Sequence, residues 1–272
     1  MPIDQLMADL GLRQNLTLVI LTVALMMARI LPVIIYSPFL GGEVVPNEVK
    51  IGLGVVLAAV LFPAVSARMT HISLSAIPYI SLLLKELFVG MSMAFVVDMV
   101  FQTATVAGHL VDSVSGLSNA QILVPQIGHQ VTLFSSLKLQ LAIVFFLTLN
   151  GHHLVIQALG DSFLAIPIDQ FPAFSHGLWP FFDLMIRVFA ELMKVGLAIA
   201  GPAFVASFLT DLALGMINRV APQVQVFFIS MQIKPLVVTA MVLLSIHLIL
   251  GRIEVEFRHM FNLLGQTIRL LS

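Results

Sequence analysis

The chain contains no cysteine, which excludes disulfide cross-links, thiolate nucleophiles and cysteine-ligated zinc or iron–sulfur centres. Charge is scarce as well: Asp, Glu, Lys and Arg make up 10% of the 272 residues, against about 25% in an ordinary soluble domain. Thirteen basic and fourteen acidic residues leave a formal charge of −1, so there is no clustered positive field to hold DNA, RNA or an anionic surface. Catalytic signatures are missing too. No H-E-x-x-H, G-x-S-x-G, Walker-type glycine loop or G-x-G-x-x-G occurs, and Gly52-Leu53-Gly54 lacks a third glycine and reads as a close-packing point. His152 and His153 are adjacent, so on a helix their side chains diverge by about 100°, whereas a two-histidine metal pair needs a spacing of three or four. They read as polar turn residues, and nothing in the sequence pairs His109 or His129. No catalytic residue, metal or cofactor is expected.

What the chain has in abundance is apolar side chains: 59% of it is hydrophobic, with 20 Phe and 14 Met, and the mean hydropathy is +1.05. That composition defines a polytopic membrane protein and excludes a disordered or collagen-like chain. Apolar segments near 14–36, 51–67, 77–106, 133–158, 181–210 and 235–250 predict six helical segments, separated by Gly- and Pro-rich turns. Two acids precede the first base, Arg13, so a cleaved signal peptide is not expected and the apolar segments themselves drive insertion. Small residues four apart, as Gly54/Ala58, Gly90/Ala94, Ala104/Gly108 and Gly196/Ala200, favour close helix–helix approach.

Several segments suit lipid poorly. Arg29, Lys85-Glu86 and Asp98 lie inside them, and each charge costs about 2.5–3.5 kcal/mol at a bilayer centre. Arg29 and Lys85 have stems long enough to snorkel, while the short Asp98 points to polar packing inside an assembly. Of the carboxylates, only Asp98 and Asp112 fall on similar faces of one helix, and Gly108 between them is expected to break it. The polar stretch from Ala107 to Gly128 reads either as an exposed loop or as a mobile segment in a protein-lined path. Loop charges disagree with a simple bundle: 159–180 is acidic (Asp161, Asp169), whereas 211–234 and the tail are both basic although one span separates them. In the tail, Ile253, Phe257, Met260, Leu264, Ile268 and Leu271 recur at spacings of three and four opposite Glu254, Arg258, Gln266 and Arg269. This amphipathic helix is expected to lie on the membrane or, preferably, on a partner.

Leu212-Ala213-Leu214-Gly215-Met216-Ile217-Asn218-Arg219-Val220-Ala221-Pro222-Gln223-Val224-Gln225-Val226-Phe227 resembles the LxLGxxxRxxPQxxxF signature of the FliR/SctT family, membrane proteins of the flagellar and injectisome type III secretion export gate. Arg29-Ile30-Leu31-Pro32 with Pro38-Phe39, Pro46, Lys50-Ile51-Gly52-Leu53-Gly54 and Pro63 resembles the family's first block. Glu86-x-x-x-Gly90, Ala107-Gly108-x-x-x-Asp112 and Phe146-Leu147-x-x-Asn150-Gly151-His152 follow in family order, so the resemblance covers nearly the whole chain. The chain departs from the pattern at Val124-Pro125, where members often have Asp-Pro, and at Ser230, near a customary Gly.

The resemblance implies an all-α membrane protein of helical hairpins, part of a helical hetero-oligomeric channel made with FliP/SctR- and FliQ/SctS-type subunits in the bacterial inner membrane. It implies a FliP-like portion, 1–175, followed by a FliQ-like hairpin, 176–272, with arms at 181–210 and 235–265 around the Arg219–Phe227 turn. A plug-like loop falls near 108–128, with Gly108, Asp112, Gly116 and Pro125 in the gate. Arg219, Pro222, Gln223, Phe227 and Lys234 are implied at the turn and its subunit contacts, and Arg29, Glu86 and Asp98 as polar groups inside the assembly. Further implied partners are FlhB/SctU- and FlhA/SctV-type proteins and unfolded export substrates, of a flagellar system in preference to an injectisome. The competing reading from residues alone is a secondary transporter that uses Glu86, Asp98 or Asp112 to bind a coupling ion.

Overall fold

Long apolar stretches give the backbone no hydrogen-bonding partner in lipid except itself, so they fold as helices. The computed structural model describes residues 12–40, 42, 45–67, 75–117, 132–172, 174 and 177–272. Among these it contains eight helices and no strand: α1 (Leu12–Tyr36), α2 (Asn47–Ser66), α3 (Ala76–Ser115), α4 (Leu133–Thr148), α5 (Gly151–Ala165), α6 (Leu178–Val220), α7 (Val226–Leu244) and α8 (Ile246–Leu271). Five of them, α1, α2, α3, α6 and α7, are long and apolar enough to cross a membrane, and the broken pair α4–α5 makes a sixth candidate span. The protein is an all-α membrane protein.

The boundaries correct the expected segments in four places. First, α3 runs unbroken through Gly108 to Ser115, so the helix break expected there is absent. Second, the 133–158 segment is two helices, divided at Asn150, whose φ of 56° places it in the left-handed region that Asn tolerates. Third, the hairpin arms are α6 and α7 themselves, separated only by 221–225; the 211–220 and 226–234 stretches, expected in the connection, are helical. Fourth, the apolar face of the tail helix packs within the chain: Ile253, Phe257, Met260, Leu264, Ile268 and Leu271 are all buried, while Arg258 is exposed. With 40 and 43 residues, α3 and α6 are about 60 and 65 Å long, twice the thickness of a hydrocarbon core of about 30 Å.

Two compact units divide the chain. One comprises Met1–Asp98, Asn150–Met185 and Met260–Ser272. In it, Gly54 of α2 lets α1 approach closely, since a Cβ there would lie 3.1 Å from Met27 Cε and 3.3 Å from Leu31 Cδ2. Gly90 of α3 meets the backbone of Arg29 so closely that any side chain would strike it. Val89, Ile166, Phe181 and Leu271 form a buried cluster flanked by Phe174 and Met185.

The other unit comprises Met99–Leu149 and Ile186–His259. Its centre is the ring cluster of Phe101, Phe146 and Phe257, with centroids 4.9 to 5.4 Å apart. Gly196 of α6 packs on α3, where a Cβ would lie 3.4 Å from Val106 Cγ1.

Candidate functional site

In the first unit the misplaced charges meet one another. Arg29 is fully buried and uses all of its donor nitrogens: Nε donates to Glu86 Oε2, Nη2 to Glu86 Oε1 at 2.9 Å and to the Ile166 carbonyl at 2.9 Å. Nη1 donates to the Ser162 carbonyl at 2.8 Å and to its hydroxyl at 3.3 Å. The guanidinium also lies 4.3 Å from the centre of the Phe163 ring, a cation–π contact. Lys85, equally inaccessible, pairs with Glu86 Oε1 and donates to the Pro167 and Ile168 carbonyls at 2.9 and 3.1 Å. Four of these acceptors are carbonyls at and just beyond the C-terminal end of α5, where the helix dipole favours cations; those of Ser162 and Pro167 also accept the backbone N–H groups of Ile166 and Gln170.

Snorkelling is therefore not how Arg29 and Lys85 are accommodated. Glu86 pairs with both of them, and backbone carbonyls supply the remaining acceptors that a buried cation requires. Asp98 is half-buried and engaged by its surroundings. Fourteen positions along the continuous α3 put it about 21 Å from Asp112, too far for direct proton exchange.

In the second unit, buried Asp112 accepts the backbone N–H groups of Phe134 and Ser135 at 2.9 and 3.0 Å. Those are the second and third residues of α4, whose amides have no partner inside their own helix. A carboxylate from α3 thus caps α4, with charge-assisted bonds in the favourable orientation for the dipole. Gly108, one turn earlier, makes this possible. An added Cβ would overlap the Ser135 backbone, at 2.6 Å from its nitrogen and 2.8 Å from the Phe134 carbonyl oxygen. What Gly108 provides is close approach, not flexibility. Lys138, also buried, donates to the Ala107 carbonyl at 3.3 Å and balances the Asp112 charge, and His109 Nε2 lies 3.2 Å from the Ser135 hydroxyl.

The end of α3 meets the hairpin. A cavity of about 330 Å³ is lined by Ser113, Val114 and Gly116 from α3 and the turn after it, by Phe204, Ser207, Phe208 and Asp211 from α6, and by Phe227, Ser230, Met231 and Lys234 from α7. The Ser207 hydroxyl donates to the Val114 carbonyl at 2.9 Å, and Lys234 pairs with Asp211 at 2.9 Å. Gly116, with a φ of 81°, ends the helix in a conformation that suits glycine. Gly116 and the pair Phe227/Lys234, drawn from two separate blocks of the sequence, thus line one space. Arg219, Pro222 and Gln223 are exposed at the hairpin tip, and Phe227 is 65% exposed. Pro125 and the rest of 118–131 lie outside the described residues.

Sequence reasoning missed Lys138, Ser162, Ser207 and Asp211. Only the last carried a signal, as an isolated acid in an apolar arm facing an isolated base on the other. No group of three or more metal-ligating side chains occurs among the described residues. A transporter reading needs an available carboxylate, but Glu86 is held by two cations and Asp112 by two amides.

Fold and sites together define a polytopic helical membrane protein whose buried charges at Arg29, Lys85, Glu86 and Asp112 join its helices. The chain belongs to the family described as bacterial export proteins, family 1, which matches residues 20–260. It is 31% identical to the flagellar biosynthetic protein FliR of Pectobacterium carotovorum subsp. carotovorum over 244 residues, 90% of this chain and 91% of that one. It is 29% identical to FliR of Bacillus subtilis, covering 90% and 92%. Yop proteins translocation protein T of Yersinia pestis is 29% identical over 84% of this chain and 85% of its own. The family and these relatives are components of export and secretion apparatus, not enzymes.

Proposed function

We propose that the chain is a subunit of the type III secretion export gate, building with FliP/SctR- and FliQ/SctS-type subunits the inner-membrane conduit through which unfolded flagellar proteins pass. The observation that carries this reading is the family match across residues 20–260, with flagellar relatives aligned over about nine tenths of both chains. In this reading 1–175 is the FliP-like portion and 176–272 the FliQ-like part, its hairpin made by α6 and α7. The exposed tip residues Arg219, Pro222, Gln223 and Phe227 contact neighbouring subunits, and FlhB/SctU- and FlhA/SctV-type proteins dock on the assembly.

The segment 108–128 serves as the plug. Asp112 and Gly108 fix its base against α4, and Gly116 ends the α3 helix; Pro125, the remaining gate residue of this reading, lies outside the described residues. The driving force comes from other components, so no residue of this chain performs chemistry. Expression in a motile bacterium lacking its own FliR-type protein tests the proposal: restored motility and flagellin export are expected, and a stably inserted chain that restores neither overturns it.

A further inference from the structure

Helices α1 and α3 bring three charges into one buried site, Arg29, Lys85 and Glu86, with a net charge of plus one. On their own they leave five hydrogen bonds unmade: those from Arg29 to the Ser162 carbonyl, the Ser162 hydroxyl and the Ile166 carbonyl, and those from Lys85 to the Pro167 and Ile168 carbonyls. Every missing acceptor lies in the short stretch 162–168, which follows α3 by some distance in the chain. The next residue, Asp169, is half-buried, directly follows Ile168, whose carbonyl holds Lys85, and acts electrostatically on that ammonium, so the same stretch also brings a second acidic side chain to the site. A buried cation without its acceptors is costly, and a buried pair that loses a partner is worse.

We propose that Asp169 is the counter-ion that completes the Arg29–Glu86–Lys85 cluster, and that 162–169 is a latch, holding α1 and α3 short of their final packing until it folds over their charges. Asp169 is a positioning residue in this scheme: it acts through Lys85. Integration into the membrane precedes the latch, because the apolar lengths of α1 and α3 suffice for it, whereas tight packing follows it.

The test uses full-length chains synthesised in a cell-free system with inner-membrane vesicles. Resistance to alkaline extraction measures integration, and acquired resistance to protease measures final packing. Asp169→Asn, isosteric with the wild type, is expected to integrate normally but gain protease resistance several-fold more slowly. The double variant Lys85→Gln/Asp169→Asn removes one charge of each sign and is expected to recover most of the lost rate. A double variant as slow as Asp169→Asn alone overturns the proposal, as does an Asp169→Asn chain that matches the wild type. An Asp169→Asn chain that fails to integrate at all also overturns it, because integration would then depend on the latch instead of preceding it.

Discussion

The carboxylate of Asp112 holds the backbone N–H of Ser135 at 3.0 Å, fastening the end of one apolar helix to the beginning of the next. Because the Phe134 amide is bound by the other oxygen, one side chain satisfies two of the orphan donors of α4. Asp112→Asn keeps the shape but loses the charge and one acceptor, and is expected to cost about 1–3 kcal/mol. Asp112→Ala costs more, since both amides are left without a partner. Thermal unfolding of the purified full-length protein in detergent measures the ranking, and equal stability of the two variants would remove the cap from the account.

Glycines in this chain divide into crowded and open positions. Gly108→Ala and Gly90→Ala place a methyl on the backbones of Ser135 and Arg29, neither of which can swing away, and overpacking of this kind costs about 1–3 kcal/mol or more. At Gly251, within α8, an added Cβ meets nothing within 4 Å, so Gly251→Ala is expected to gain up to about 1 kcal/mol from helix propensity. The same melting measurement separates the two classes by sign.

For the buried cluster, Glu86→Gln removes the one carboxylate that both Arg29 and Lys85 touch, whereas Lys85→Gln leaves an intact bidentate Arg29–Glu86 pair. Breaking a buried pair costs about 3–5 kcal/mol, so Glu86→Gln is expected to abolish accumulation in the membrane while Lys85→Gln reduces it. Arg29→Lys is not conservative here, because an ammonium has three donors where the site uses five bonds. Steady-state protein level and protease resistance in membranes read all three.

Glu256, in α8 and outside the candidate spans, is buried beside Arg252, at 3.1 Å. Burial raises its carboxyl pKa; Arg252 opposes the rise and Glu191 adds to it. A carboxyl whose folded pKa is raised binds protons more tightly in the folded state than in the unfolded one. Its penalty is therefore felt above the raised value and is relieved as pH falls through it. Glu256→Gln is expected to be neutral to stabilising at pH 7 and to flatten the gain in stability that the wild type shows on mild acidification. A large loss of stability at pH 7 would mean that the Arg252 pair outweighs burial.

Much of this was legible in the residues. Apolar runs located the helices, the family resemblance marked the turn at Arg219–Phe227, and the charges at 29, 85 and 86 showed that these segments suit lipid poorly, although the stems of Arg29 and Lys85 suggested snorkelling where the structure buries them. Their acceptors were not legible, because Arg29 and Lys85 are satisfied largely by carbonyls of 162–168, and a carbonyl has no signature in a sequence. Gly108 misled for a related reason: glycine signals a break when judged by propensity, but here the absent Cβ makes room for another backbone. The helical ends of the arms, 211–220 and 226–234, are not legible because Arg219 and Lys234 read as charges of a connection, although Lys234 joins Asp211 across the arms from within. The amphipathic pattern of α8 is legible, yet what covers it is in the chain itself: Phe257 packs on Phe101 and Phe146, and Leu271 lies in the cluster of Val89, Ile166 and Phe181.

The central claim, membership in an export gate built from several kinds of subunit, is tested most directly by co-expressing the chain with FliP- and FliQ-type proteins of its own organism and purifying it through a tag in mild detergent. A stable complex containing all three, in fixed proportion, is the expected result. A tagged chain recovered alone, folded and monodisperse while both partners are present in the same membrane, would contradict it.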